Sequence, residues 1–67
     1  MKLIFDTETT GLDPMVDEIL QLSIIDEHEN VIFNDYIKPS RKTKWPDAER
    51  IHHISYMMVK DKMTFQQ

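Results

Sequence analysis

Sixty-seven residues with no cysteine, one glycine, three prolines and a net charge of −4 allow one small domain and exclude a disulfide framework or a thiolate metal site. The acidic balance excludes the overall basic surface of a nucleic-acid coat or arm, although divalent ions that screen an acidic site leave nucleic-acid chemistry open. No run approaches the roughly 20 apolar residues of a membrane span, and the apolar run after Lys2 stops at Asp6, so a soluble, cytoplasmic protein without a signal peptide is expected. A chain of this size buries only about 60% of its unfolded surface and calls for help from a metal or a partner chain.

The string "KLIF" is apolar at Leu3, Ile4 and Phe5, which predicts a strand covered on both faces. "TTGLDP" carries the only glycine and a proline and reads as a loop. In "EILQLSIID", Leu20, Leu22 and Ile24 alternate with Gln21 and Ser23, which predicts a second strand, with a helix as the alternative that its length permits. "EHEN" is a polar turn. "VIFNDYIKP" is β-branched and aromatic, and predicts a third strand. The short spacing between these runs implies an antiparallel meander.

Beyond the strands, "PSRKTKWP" reads as a polar basic loop, and "PDAERIHHI" as a short helix with Pro46 near its start and acids in its first turn. Ser55 caps a further turn through "YMMVKDK". For Lys38, Arg41, Lys42 and Lys44 with Trp45 beside them, two readings stand. They meet a phosphate backbone and stack a base, or the loop is solvated and Trp45 tucks onto the core; the second is preferred. Met57, Met58 and Met63 are expected to pack.

Asp6 and Glu8 stand directly behind the first apolar run, one residue apart. On a strand, residues two apart share a face, so the carboxylates project side by side. Two carboxylates at that spacing repel unless one holds a proton or a cation joins them. Hard cations such as Mg²⁺ prefer oxygen ligands, and a site of this kind at a loop edge suits phosphodiester hydrolysis with two metals. Asp-x-Glu alone is more often a solvated surface pair. An apolar strand running into Asp-Thr-Glu-Thr-Thr-Gly is a much rarer string.

On these residues the chain resembles a known family. "IFDTETTGLDP" is similar to the first motif of the DnaQ-like 3′–5′ exonucleases, the DEDD group that includes polymerase proofreading subunits and ribonuclease T. "EILQLSIID" and "VIFNDYIKPS" resemble the family's second and third strands, and "IHHISYMMVKDKMTF" the stretch before its first long helix. The resemblance implies an α/β, ribonuclease H-like exonuclease fold, here truncated to a three-stranded antiparallel meander plus short helices. It makes residues 1–67 the N-terminal part of a single exonuclease domain. It implies that Asp6 and Glu8 are catalytic and bind Mg²⁺ or Mn²⁺, two ions in the intact domain. Thr9 would contact the terminal nucleotide, and Gly11 and Leu12 would line the pocket for the splayed 3′ end. His52 matches a histidine that approaches the substrate, while His53 stands where the family often has glycine. Without the resemblance, the two histidines read as helix-end residues favoured by the dipole.

The family's later motifs, an aspartate on a subsequent helix and a late histidine or tyrosine with an aspartate, do not occur in these residues. Asp35, Asp47 and Asp61 lie in the wrong contexts to replace them. "DTETTG" leans toward the histidine branch. The implied partners are the 3′ end of single-stranded DNA or RNA and a polymerase, with no membrane. The family's first strand is central in a five-stranded sheet, so this chain would expose a bare edge there, lose much of the cover over "KLIF", and self-associate as a homo-oligomer or stay only partly folded. Two alternatives accompany the exonuclease reading: a non-catalytic remnant acting as a small association module, and a plain divalent-metal binder.

Overall fold

The computed structural model describes residues 1–65; Gln66 and Gln67, the last two positions of the expected 1–67 domain, lie outside them. Three strands, β1 (Leu3–Thr9), β2 (Ile19–Asp26) and β3 (Val31–Tyr36), precede two short helices, α1 (Pro46–His52) and α2 (Tyr56–Val59). The strands form one sheet in the order β1-β2-β3, and both pairings are antiparallel. This is the expected meander with short helices, consistent with a truncated ribonuclease H-like exonuclease fold. Among the described residues no helix is long and apolar enough to cross a membrane.

Local chemistry explains the turn between β2 and β3. The Asp26 carboxylate accepts hydrogen bonds from the His28 and Asn30 amides and from the Asn30 side chain. The Asn30 side chain, then the Asn30 amide, hold the Asp26 carboxyl below its ordinary value. Side-chain acceptance of this kind mimics a backbone turn. Glu29 absorbs the reversal at φ 66°.

Two register shifts break the alternation. Glu8 faces Gln21 and Thr9 faces Ile19, which leaves Leu20 as the extra residue of a bulge. Ile24 faces Phe33 and Ile25 faces Val31, so Ile32 is extra on β3. The period-2 pattern predicts that Leu20, Leu22 and Ile24 act alike. Instead Leu20 is fully buried, whereas Leu22 and Ile24 are half-buried. A bulge re-aims its side chain, and this one delivers Leu20 to the core.

That core lies at one end of the sheet. It consists of Leu20, Trp45, Ile54 and Val59, with Tyr36, Ala48 and Tyr56 packed against it. Trp45 is 4% exposed. Its indole N–H donates to the Ile54 carbonyl at 2.7 Å, and its ring meets Tyr56 edge-on at 6.2 Å. The preferred sequence reading of Trp45 therefore holds. In α1, Pro46 sits in the first turn with Asp47 and Glu49, and the helix ends at His53 in left-handed backbone, φ 63°. That is the conformation glycine adopts at no steric cost, which accounts for glycine at this position of the related pattern. Ser55 takes the extended N-cap position of α2, and its carbonyl accepts from the Met58 amide at 3.1 Å.

Two expectations are overturned. Leu3, Ile4 and Phe5 are not covered on both faces, as the apolar run alone predicts, but are 42, 53 and 61% exposed, in line with the loss of cover expected for this strand without its family neighbours. The helices pack at the Leu20 end, and among the described residues no helix covers the cross-strand row Phe5–Ile24–Phe33. Met57, Met58 and Met63 are exposed rather than packed: α2 is four residues long and turns only Val59 inward, and Met63 lies beyond it, where its carbonyl accepts from the Lys38 amide at 3.0 Å. Among the described residues, strand β1 forms one edge of the sheet, the bare edge expected there.

Candidate active site

The two acids of β1 both precede the register shift, so the pleat places them on one face. Asp6 lies opposite Ser23, and Glu8 opposite Gln21. The next strand continues these rows with Asn34 and Tyr36, and the Gln21 amide donates to the Asn34 side-chain oxygen at 3.1 Å. The two rows that hold the acids are thus polar across all three strands, while the next row on that face, Ile4–Ile25–Val31, is apolar. Asp6 is exposed and Glu8 half-buried. Among the described residues, neither carboxylate has an ion pair or a hydrogen bond recorded. Two unpaired hard-oxygen donors on one face fit Mg²⁺, which commonly takes one or two carboxylates plus waters and substrate phosphates. No group of three or more potential ligands occurs among the described residues, so the chain offers a partial coordination shell.

The strand runs from Glu8 into the rim of a groove of about 530 Å³. Glu8, Thr9, Gly11 and Leu12 line it from the strand side, and Ile51 and His52 from α1. The structure therefore gathers five of the six residues named from sequence. Asp6 does not line the groove; it stands one pleat back along β1. Leu12 projects fully into solvent, 101% exposed.

Hydrogen bonds hold the rim. The Thr9 hydroxyl donates to the Gly11 carbonyl at 2.6 Å. The Thr9 carbonyl meets His52 Nε2 at 2.9 Å, and His52 Nδ1 accepts from the Ile54 amide at 3.0 Å. Thr10 is buried; its hydroxyl donates to Asp17 at 2.8 Å and accepts from the Glu18 amide at 2.9 Å.

Asp17 is the hub of the loop, and sequence reasoning missed it. Its carboxylate also takes the Asp13 amide and the Lys42 ammonium, each at 2.8 Å. The Lys42 bond first, then those from the Asp13 amide and Thr10, lower the Asp17 carboxyl to about 2. Glu18 beside it binds the Ser40 hydroxyl, the Arg41 amide and side chain, and the Lys42 amide. Burial pushes Glu18 up, but these hydrogen bonds outweigh it and hold the carboxyl below its ordinary value. Arg41 and Lys42 of the basic loop are thus engaged within the chain, which favours the solvated-loop reading. Asp17 and Lys42 are 25 positions apart, and no local pattern announces such a pair.

A family described as Exonuclease matches residues 3–67. The DNA polymerase III subunit epsilon of Rickettsia felis is 42% identical over 69 residues, covering 96% of this chain and 30% of that protein. The same subunit of Rickettsia conorii is 41% identical, with the same coverage. The DNA polymerase III PolC-type protein of Thermotoga petrophila is 35% identical over 68 residues, covering 97% of this chain and 5% of its own length. The chain thus spans under a third of these relatives.

Proposed function

The chain belongs to the DnaQ-like exonuclease family, and from that premise we propose that it forms the N-terminal part of a single exonuclease domain. The intact domain would hydrolyse phosphodiester bonds at the 3′ end of DNA or RNA. One observation carries this reading: Glu8, Thr9, Gly11, Leu12 and His52 meet around one groove, with Asp6 on the strand face that bears Glu8.

Asp6 and Glu8 would hold Mg²⁺ or Mn²⁺, and bound ions would supply an activated water and charge stabilisation for the leaving oxygen. Thr9, Gly11 and Leu12 receive the terminal nucleotide, Leu12 offering an apolar face to a base. His52 closes the opposite wall. The relatives' names support a polymerase as partner and a DNA end as substrate. The family pattern's further ligand motifs and general base do not occur among these 67 residues. Loss of a general base alone costs about 10²–10⁴-fold in rate, so the 67-residue chain has weak activity or none.

A second reading, a self-associating module without catalysis, is favoured by the uncovered β1 edge and the two-acid site. Incubation with a 3′-labelled single strand and Mn²⁺ decides between them. Release of labelled mononucleotide that disappears in Asp6→Ala supports the enzyme. Undegraded strand together with a stable dimer that binds neither the strand nor Mn²⁺ supports the module.

A further inference from the structure

We infer that His52 is a positioning residue that acts through the Thr9 carbonyl, clipping the end of β1 to α1 in a single imidazole tautomer. The assignment rests on both ring nitrogens. The Ile54 amide can only donate, so Nδ1, 3.0 Å away, must be unprotonated. The Thr9 carbonyl can only accept, so Nε2, 2.9 Å away, must carry the hydrogen. A neutral imidazole with its proton on Nε2 meets both demands, and the other tautomer meets neither. No polar atom of the ring is left for a phosphate or a base.

The place of the clip gives it consequence. Thr9 directly follows Glu8, and the sheet register shifts between these two residues. A bulge interrupts the regular ladder, so the peptide after Glu8 has less support from β2 than the rest of the strand. His52 supplies a tie from 43 positions away. On the far side, Thr10 is tied to Asp17. The groove rim is therefore anchored from α1 and from the 10–18 loop at consecutive residues. Groups that hydrogen-bond a metal ligand and orient it contribute about 10–100-fold to metal affinity; His52 acts one residue further out, on the peptide after Glu8, so the low end of that range is expected.

This inference rests on the reading of Glu8 as a metal-binding residue for its consequence, but not for its geometry. Two variants separate the ring's two bonds. In His52→Gln the amide nitrogen stands near the Nε2 position and keeps a donor for Thr9. In His52→Asn the side-chain oxygen stands near Nδ1 and keeps an acceptor for Ile54, without reaching Thr9. The full chain, labelled with ¹⁵N and ¹³C, is observed by NMR, and the Trp45 indole N–H signal reports an intact core.

Wild type is expected to show the pure Nε2–H tautomer. The Thr9 carbonyl shift should move in His52→Asn and stay near wild type in His52→Gln. Mn²⁺, followed by broadening of the Glu8 and Thr9 amide signals, should bind His52→Asn about tenfold more weakly and His52→Gln nearly as wild type. An Nδ1–H tautomer overturns the inference, as does identical behaviour of the two variants with the Trp45 signal unchanged. Mn²⁺ that leaves wild-type Asp6 and Glu8 untouched overturns the metal reading instead, and the tautomer and the Thr9 shift still decide the clip.

Discussion

The Asp17 carboxylate occupies the space in which a side chain at Gly11 would begin: a Cβ there would lie 2.7 Å from Asp17 Cγ. Gly11 does not have a positive φ, so glycine is required by this close approach and not by the turn's backbone conformation. The residue that lines the groove and the residue that organises its loop are thus matched in shape.

Replacing Gly11 with alanine should destabilise the fold by about 1–3 kcal/mol through overpacking. Reduced freedom of the unfolded chain offsets about 0.4–1 kcal/mol of this. Urea midpoints measure the net loss. The penalty should shrink in a Gly11→Ala, Asp17→Ala double variant, because the colliding carboxylate is gone. Equal penalties in both backgrounds would refute the steric account.

Acid should loosen the 10–18 loop. The folded-state carboxyl of Asp17, about 2, lies below its ordinary 3.8. A depressed folded value contributes stability that is present above the unfolded value and is lost as pH falls through the folded one. The loss therefore runs from about pH 4 down to about pH 2. Glu18 and Asp26 are shifted in the same direction, so Asp17→Asn should reduce the acid slope of the urea midpoint without abolishing it. An unchanged slope in that variant would remove Asp17 from the account.

Trp45→Phe keeps an aromatic ring in the core but removes the indole N–H that satisfies the Ile54 carbonyl. A buried acceptor left unpaired costs about 1–3 kcal/mol, readable as a fall in the thermal midpoint. Tyr56, edge-on to this ring, should change its near-ultraviolet signal at the same time.

The uncovered strand should drive association. Phe5 is 61% exposed on the edge strand β1, and charges on edge strands oppose pairing between copies. Light scattering at micromolar concentration should show wild type above monomer mass and Phe5→Lys closer to it. Phe5 pairs across the sheet with Ile24, a contact worth about 0.2–1 kcal/mol, so the urea midpoint read alongside separates lost stability from lost association. A monodisperse wild-type monomer would refute edge pairing.

Much of the site's first half was legible in the sequence because it is local. Asp6 and Glu8 share a face by the pleat alone, and the three strands, the Pro46 helix start and the 26–30 turn each follow from neighbouring residues. What misled was also local logic extended too far. Strict alternation grouped Leu20 with Leu22, but the bulge separated them. The apolar string at Leu3, Ile4 and Phe5 implied cover that so few remaining residues do not provide. Met57 and Met58 implied packing that a four-residue helix does not offer.

By itself, then, the order of residues determined the strand carrying two acids, the loop behind it and membership in an exonuclease family. Only the tertiary structure decided that His52 reaches Thr9, that Lys42 reaches Asp17, and that Gly11 makes room for that carboxylate. The physical reason is range. Backbone periodicity acts between residues one to four apart, whereas a hydrogen bond across 25 or 43 positions exists only once the sheet and helices have brought its ends within 3 Å.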